Sequence, residues 1–372
     1  MTTLGSAPPA APASRFDVFD AGSPQWEECE RALANAGIRL PLAHRAGWAR
    51  ARRGVSSQLV ALRGADGDWV AAFGVYAAAS RALPGFRLLR VERFGEAVPR
   101  AAWAAAVEAL VALARRQPRV LWLSVELFSR DDNTRATLGE LLERNGMARA
   151  ATTRNWERTL ALDLQPSEDQ IFASFSPTAR RSIRAVAKLP VQVRLIDDRA
   201  LASRMEALSC ETFARTGGDY QALWDWAGVI ELSGSLPDAS RLVGLFRTDK
   251  EGPEALLGFA WGCWNGHSVS YMAGASTRPT DQQRVGIVHP LFWDLIGWAK
   301  RTGGTWFDLG GITAGSVGSG DPVGGISDFK RLFSKDAIDV AADWVFTPRR
   351  LPAGVAALLS TGAAWLSRVA GR

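Results

Sequence analysis

The feature that most constrains this chain is an internal repeat. Elements in the second half of the sequence follow the same order as those in the first half, and three residue pairs keep a separation of about 185 residues. These pairs are Val60 with Val243, Trp122 with Trp306, and Trp156 with Trp344. A constant offset across several elements indicates duplication. The repeat predicts two similar units, each in the order hairpin, strand, helix, strand, helix, strand.

The repeat also predicts how the chain is divided. A chain of 372 residues exceeds what one core usually holds, so two domains are expected. We expect a disordered Ala/Pro-rich tail at residues 1–15, a first domain at 16–165, a second at 166–350 and an amphipathic helix at 351–372. The segment from Trp156 to Leu164 is predicted to close the first sheet, and Ile338 to Phe346 the second. The fold class is α/β (α+β), with sheets flanked by helices.

Composition narrows the class of partner. The net charge of +6 suits an anionic partner such as a nucleotide, a tRNA or a membrane surface, although many Arg-rich chains are basic without such a role. Cys29, Cys210 and Cys263 show no C-x-x-C spacing, and the three histidines form no recognisable triad or metal set. We therefore expect no metal, no disulfide framework and a cytoplasmic location. Residues 1–15 lack the apolar region of a signal peptide.

A turn before a predicted helix has the pattern of a phosphate site. In the segment Gln283 to Val288, backbone N–H groups could hold a pyrophosphate, with Gly286 allowing close approach and Arg284 adding charge. Acetyltransferases of the GNAT superfamily have Q/R-x-x-G-x-G/A at such a turn, and the match here is partial because Val288 occupies the last position. A plain polar turn is the alternative interpretation.

Three other side chains could carry chemistry. Lys330 follows Phe329 and two glycines, and a lysine beside an aromatic ring can offer a desolvated ammonium to an oxyanion or a phosphate. A core phenylalanine with a solvated lysine is the alternative. Glu126 and Asp308 end strands at corresponding places in the two repeats, and each is a candidate base for an amine or a carboxylate that caps a loop.

Two helices carry candidate binding surfaces. Ser176-Pro177 is expected to begin a helix on which Arg181, Arg184 and Lys188 share a face, either as a phosphate-binding stripe or as a solvated surface. The C-terminal helix places Val355, Leu358, Leu359, Leu366 and Val369 on one side. Docking against the protein is the expected role of this helix, and peripheral contact with a membrane is the alternative.

Several segments together resemble a known family. They are Tyr271-Met-Ala-Gly-Ala-Ser276, Pro290 to Ala299, Gly304-x-x-x-Asp308-x-Gly310-Gly311-Ile312, Gly325-Ile-x-x-Phe329-Lys330-x-x-Phe333 and, more loosely, Arg90-Val-Glu-Arg93-Phe-Gly95-Glu-Ala-Val98. As a set they resemble the Fem-type aminoacyltransferases, the peptidoglycan bridge-forming enzymes of the lipid II:glycine glycyltransferase type. Those enzymes contain two GNAT domains in tandem, in agreement with the repeat. Here Glu96 stands where the family turn has Pro, and Glu126 where its first domain has Asp.

The resemblance implies a function and a set of site residues. Family members transfer an amino acid from aminoacyl-tRNA to an amine of a muropeptide, and a sister branch uses acyl-CoA. The expected reaction is acyl transfer to an amine of a cell-envelope precursor, without a covalent enzyme intermediate or a tightly bound cofactor. The alternatives are an acyl-CoA-dependent N-acetyltransferase of polysaccharide or envelope biosynthesis and a non-catalytic GNAT-like binding scaffold. Catalytic roles fall to Phe329, Lys330, Glu126 and Asp308. Substrate binding falls to Arg93, Arg181, Arg184, Tyr271, Gln283, Arg284, Gly286, Gly310 and Gly311.

Overall fold

The fold is that of a computed structural model, which describes residues 16–151, 156–216, 222–278, 286–321 and 323–359. Within these residues, fourteen strands form two sheets of seven strands each. The strands in chain order are β1 (Phe16–Asp20), β2 (Val55–Arg63), β3 (Trp69–Ala79), β4 (Arg87–Val91), β5 (Val120–Phe128), β6 (Ala148–Arg149), β7 (Arg158–Asp163), β8 (Val191–Leu195), β9 (Ser240–Arg247), β10 (Leu256–Trp264), β11 (Ser268–Ser276), β12 (Trp306–Gly311), β13 (Asp336–Asp339) and β14 (Ala341–Phe346).

Helices flank both sheets. In chain order they are α1 (Pro24–Asn35), α2 (Ala46–Arg50), α3 (Phe94–Ala97), α4 (Trp103–Arg116), α5 (Asp132–Arg144), α6 (Glu168–Ser174), α7 (Pro177–Ala185), α8 (Ala202–Thr216), α9 (Trp226–Ser235), α10 (Val288–Arg301) and α11 (Gly324–Lys330). Residues 350–359 are also helical and are named the C-terminal helix. The start predicted for α7 is confirmed, because Ser176 Oγ accepts a hydrogen bond from Ala179 N at 3.2 Å and Pro177 fills the first turn.

The two sheets have the same strand arrangement. The first runs β1-β2-β3-β4-β5-β14-β6 and the second, taken from its opposite edge, runs β8-β9-β10-β11-β12-β7-β13. In the described residues, each sheet has one parallel pair of neighbours, β4 with β5 and β11 with β12. Val60 and Val243 lie on the equivalent strands β2 and β9, and Trp122 and Trp306 on β5 and β12. The predicted duplication is confirmed by this correspondence.

The sixth strand of each sheet comes from the other half of the chain. The prediction that the segment from Trp156 to Leu164 closes the first sheet is wrong, because β7 pairs with β12 and β13 in the second. Likewise, β14 pairs with β5 and β6 in the first sheet. The chain changes sheets at Val340, whose N donates to Glu157 O at 2.8 Å and whose O accepts from Ser129 N at 2.8 Å. A boundary at residue 165 therefore does not separate the two sheets.

Each sheet covers its own apolar core, and the halves also contribute to each other's cores. Trp344, on β14, packs with the first core, which lies between the first sheet and helices α4 and α5. Trp48, on α2, is buried in the second core, with its ring centroid 5.3 Å from that of Trp261.

Among the described residues, no helix combines the length and apolar character needed to span a bilayer. The predicted tail at residues 1–15 and residues 360–372 of the predicted last helix lie outside the described residues.

Candidate active site at the junction of the two sheets

Lys330 ends α11 with its ammonium group inside the protein. Its side chain reaches the end of β12, where Nζ donates to Gly311 O at 2.7 Å. Gly310 has φ +82°, a backbone conformation that favours glycine. A β-carbon at this position would also lie only 3.0 Å from Nζ, so a larger residue would crowd the ammonium group. Lys330 is 6% exposed, and burial lowers the pKa of its ammonium to about 8, although the charge of Asp308 acts in the opposite direction.

The backbone beside Lys330 forms an opening in the second sheet. The pairing of β11 with β12 stops at Ser270 and Asp308, although both strands continue beyond that point. Past the divergence, the carbonyl of Tyr271 lies 3.6 Å from the position of a β-carbon on Gly310. Backbone groups of β11 on this side are not used in pairing with β12. Such an opening can accept the backbone or amide groups of a bound substrate.

Asp308 is held by hydrogen bonds from three elements. One carboxylate oxygen accepts from Thr159 Oγ1 at 2.5 Å and from Gly310 N at 2.9 Å. The other accepts from Ser270 Oγ at 3.0 Å. Asp308 is buried, and its charge stabilises the ammonium form of Lys330. These contacts fix the turn at Gly310 and give Asp308 a positioning role. Its predicted role as a base for an amine stays a prediction.

Arg93 connects the two halves of the chain at this site. It follows β4 with φ 50°, an unusual conformation for a residue with a side chain. Its guanidinium donates to Glu96 Oε2 at 2.6 Å and to Ser268 Oγ at 3.2 Å, and lies 3.6 Å from Asp308 Oδ2. Its backbone N donates to Glu126 Oε2 at 3.1 Å. Glu126, on β5 of the first sheet, thus stabilises the strained turn at Arg93. The side chain of Arg93 in turn contacts Asp308 of the second sheet.

A cavity of about 830 Å³ opens between the first sheet and residues Ala222 and Leu223 of the second half. Arg52, Arg53, Arg81 and Arg90 line it, together with Tyr76, Trp122 and Ser124. Arg52 donates to both carboxylate oxygens of Glu92, at 2.8 and 2.9 Å. Burial alone would raise the pKa of Glu92, but the charges of Arg52 and Arg90 together lower it. The lining therefore carries an excess of positive charge.

Phe329 belongs to an aromatic cluster on the side of Lys330 that faces the helices. Its ring centroid lies 5.1 Å from that of Phe292, and Tyr271 lies 4.5 Å from Phe292. Burial raises the pKa of the Tyr271 hydroxyl above its usual value. Further contacts through Phe333, Phe175 and Phe172 extend the cluster to α6. At that end the guanidinium of Arg184 lies 5.1 Å from the Phe172 ring centroid.

The predicted phosphate turn ends beside the basic helix α7. A β-carbon on Gly286 would lie 3.0 Å from Ser182 on α7. Gly286, two residues before α10, is therefore in contact with α7. Arg181 and Arg184 are exposed on the same helix. Gln283 and Arg284 lie outside the described residues. Gly286, Arg181 and Arg184 are thus neighbours, whereas Arg93, Glu126, Asp308, Gly310, Gly311 and Lys330 form a separate group at the junction.

Comparison with known proteins agrees with this architecture. Residues 173–331 match the model of a family described as an acetyltransferase (GNAT) domain. The FemX crystal structure superposes with TM-score 0.64 and 16% identity, covering 86% of this chain and 95% of FemX. The chain has a Fem-like tandem GNAT fold. The GNAT match contains Tyr271, Asp308, Gly310 and Lys330, and it supports an acyltransferase.

Two other solved structures share the Fem-like tandem GNAT fold. L-PGS from Bacillus licheniformis has TM-score 0.54 and 12% identity, covering 93% of this chain and 98% of its own. The C-terminal domain of a putative lysylphosphatidylglycerol synthetase from Agrobacterium fabrum has TM-score 0.50 and 13% identity, with coverage of 90% and 96%. No curated protein sequence matches the chain. At these identities the likeness establishes the fold.

The structure adds residues to the site that the sequence did not reveal. Ser268 accepts from Arg93 and donates to Glu96 Oε1 at 3.0 Å, which joins the two halves. Trp156, which is 49% exposed, stands against the backbone of Gly311. Arg52 lies in the charged cavity. A serine at a strand start and an arginine after a short helix have no distinctive sequence pattern.

In the described residues, no cluster of His, Cys, Asp and Glu is arranged to hold a metal ion.

Proposed function

We propose that the protein transfers an acyl or aminoacyl group from a phosphate-bearing donor directly to an amine of a phosphate-bearing acceptor. The donors of this class are aminoacyl-tRNA and acyl-CoA, and the acceptor class includes muropeptide precursors of the cell envelope. The observation that supports the proposal is the ammonium of Lys330, which is buried at the divergence of β11 and β12, next to the place where Arg93 of the first half lies against Asp308. Because both donors are cytoplasmic, the proposal places the reaction in the cytoplasm.

In the proposed reaction, the acceptor amine attacks the carbonyl carbon of the donor. A C–N bond forms, the C–O or C–S bond to the donor breaks, and the proton lost by the amine neutralises the departing alkoxide or thiolate. Negative charge develops on the carbonyl oxygen before the donor leaves, and the ammonium of Lys330 stabilises that charge. Asp308 and Arg93 hold Lys330 and Gly310 in position. Binding both substrates at the junction supplies proximity.

In this proposal, helix α7 binds the donor and the arginine-lined cavity binds the acceptor. Exposed Arg181 and Arg184 on α7, beside Gly286, suit the phosphates of a donor whose reactive end lies in the opening near Lys330. The arginine-lined cavity of about 830 Å³ suits the phosphates of an acceptor. Glu92 and Arg93 are consecutive residues. Glu92 pairs with Arg52 of the cavity, and Arg93 lies against Asp308, whose charge acts on Lys330. In this proposal the turn after β4 therefore joins the acceptor cavity to the site of Lys330.

The decisive test replaces Lys330 by Met. Turnover is expected to fall by at least ~10²-fold, the usual scale for one donor to an oxyanion. Lys335→Met is the matched control, because Lys335 is an exposed lysine five positions later, and its turnover should stay unchanged. Product mass spectrometry with charged tRNA, acetyl-CoA and candidate amines measures both variants. Unchanged turnover in the Lys330 variant refutes the assignment, and a wild-type protein that binds a donor without forming product is a scaffold.

Salt dependence separates the two donors. Aminoacyl-tRNA pairs its phosphates with several cations at once, so its observed binding constant is expected to fall steeply with salt on a log-log plot. Acyl-CoA carries fewer phosphates and is expected to give a shallow slope. Arg181→Gln with Arg184→Gln should reduce the slope for tRNA by about two, because each substitution removes one arginine that neutralises a phosphate. A slope that does not change places the donor phosphates away from α7.

A further inference from the structure

The C-terminal helix presents an apolar face to solvent. Leu351 is 86% exposed and Leu358 is 76% exposed, and Val355 and Leu359 are also exposed. Their spacing of i, i+4, i+7 and i+8 places all four on one side of the helix. Solvated leucines on one face are unfavourable by roughly 25 cal/mol per Å² of apolar surface left in water. The face is therefore suited to a partner that removes it from water.

The start of this helix is attached to the first half of the chain. Just before it, Arg349 donates to Gln117 O at 3.0 Å and to Arg115 O at 3.3 Å. Within it, Ala356 is fully buried. Ala356 lies about 140° around the helix from Leu351. The buried side of the helix therefore differs from the side that carries the exposed leucines.

A basic groove leads from the acceptor cavity to the same place. The cavity lined by Arg52 and Arg90 shares Gly54, Val55, Ala78 and Ala79 with a second cavity, of about 610 Å³. That cavity in turn shares Gly85, Arg87 and Arg119 with a third, of about 410 Å³, which reaches Gln117. Across the three linings there are six arginines and no acidic residue. The groove therefore ends beside the residue that anchors the C-terminal helix.

Charge identifies the partner of this surface. From Thr347 to Leu359 the sequence contains Arg349 and Arg350 and no Asp or Glu. Exposed Arg115, Arg116 and Arg119 add positive charge where the helix begins. A helix with an apolar face and basic flanks binds at the interface of an anionic bilayer. We propose that the C-terminal helix attaches the protein to an anionic membrane surface and places the open end of the groove against that surface.

This placement specifies the acceptor more closely. If the groove holds the acceptor, as the proposed function requires, then a lipid-linked acceptor of the kind the resembled family uses enters the groove from the membrane side. The arginines along the groove pair with its phosphates, and its amine reaches the junction near Lys330. Attachment of the helix to the membrane is independent of that reaction, because it uses neither the donor nor Lys330.

Vesicle sedimentation with the full chain tests the attachment. Wild-type protein should bind phosphatidylcholine vesicles that contain phosphatidylglycerol and should bind pure phosphatidylcholine vesicles much more weakly. The double change Leu351→Ser and Leu358→Ser should lower the partition coefficient at least ~10-fold. Arg350→Gln should lower it about fivefold. Leu195→Ser is the matched control, since Leu195 is a 53% exposed leucine on β8, and it should bind as the wild type does.

The outcomes separate this proposal from the proposed function. The Lys330→Met variant should bind vesicles normally, so inactivity and loss of attachment are distinct results. The proposal is overturned if the wild type does not bind the anionic vesicles, or if the double variant binds them equally well. It is also overturned if light scattering shows a dimer that the double variant dissociates without any vesicle binding, because the apolar face then joins two copies of the chain. Melting temperatures near that of the wild type exclude misfolding.

Discussion

The amine of Lys330 is an ionisable group in the protein interior. The free energy of unfolding therefore depends on pH. Burial lowers the pKa of its ammonium to about 8, below the usual 10.5. Below pH 8 the lysine is charged in both the folded and the unfolded chain, so folding bears the whole cost of burying the charge. Between pH 8 and 10.5 the folded chain has lost the proton and the unfolded chain still binds it. Stability therefore rises with pH in this window.

Replacing Lys330 by Met is expected to change the stability of the protein. Lys330→Met removes a burial cost of up to about 3 kcal/mol, so the variant should be more stable than the wild type at pH 7. The difference should disappear as the pH rises from 8 to 10.5. Urea unfolding of the two proteins across that range measures it, and other titrating groups cancel in the comparison. A variant that is less stable at pH 7 would show that Lys330 serves the fold instead of the chemistry.

Some residues of the site can be predicted from the sequence, and others cannot. Gly310, Gly311 and Lys330 belong to a glycine-rich loop and a Phe-Lys pair, and both are recognisable in a single chain. Ser268 and Glu96 are not, because their hydrogen bond joins positions 172 residues apart. The arginine-lined cavity is formed by residues from β2, β3, β4 and β5 and from the segment before α9. A single sequence contains no local signal for such an assembly.

At the scale of the element, the exchange of β7 and β14 explains both the success and the failure of the sequence prediction. Alternating side chains show that a segment is a strand and which face is apolar. They do not specify its neighbour, because both sheets offer the same sixth position to strands of similar character. Secondary structure and duplication were therefore predictable from the sequence. The pairing that interlocks the two halves was not.

The repeat-related tryptophans Trp344 and Trp156 provide a test of the exchange. Trp344 lies against Gly139 of α5, 3.0 Å from the position of a β-carbon there, so Trp344→Ala should destabilise the protein by about 3 kcal/mol. Although residue 344 is late in the chain, the amides that lose protection from hydrogen exchange should be those of β5 and α5. Trp156→Ala, at the exposed counterpart, should cost less than about 1 kcal/mol. Loss of protection confined to β12 in the Trp344 variant would contradict the observed pairing.

In the whole molecule, the connections between the two halves include three of different kinds. The sixth strands are exchanged, α2 of the first half packs in the second core, and Arg93 contacts Ser268 and Asp308 across the junction. A domain with its own complete sheet can unfold alone, whereas here each sheet loses a strand when the other half unfolds. The two halves are thus expected to behave as one cooperative unit, which keeps the groups at the junction in register for a reaction between two bound substrates.

Trp48 allows this cooperativity to be measured. It lies early in the chain, yet its ring contacts Trp224 and Trp261 of the second half, with centroid distances of 5.0 and 5.3 Å. Trp48→Ala should cost about 3–5 kcal/mol and should shift one calorimetric transition as a whole, with equal calorimetric and van't Hoff enthalpies. If the halves were independent, the variant would split the transition, because only the second core would be weakened. A single shifted transition therefore requires that the first sheet depend on the second, as the exchanged strands demand.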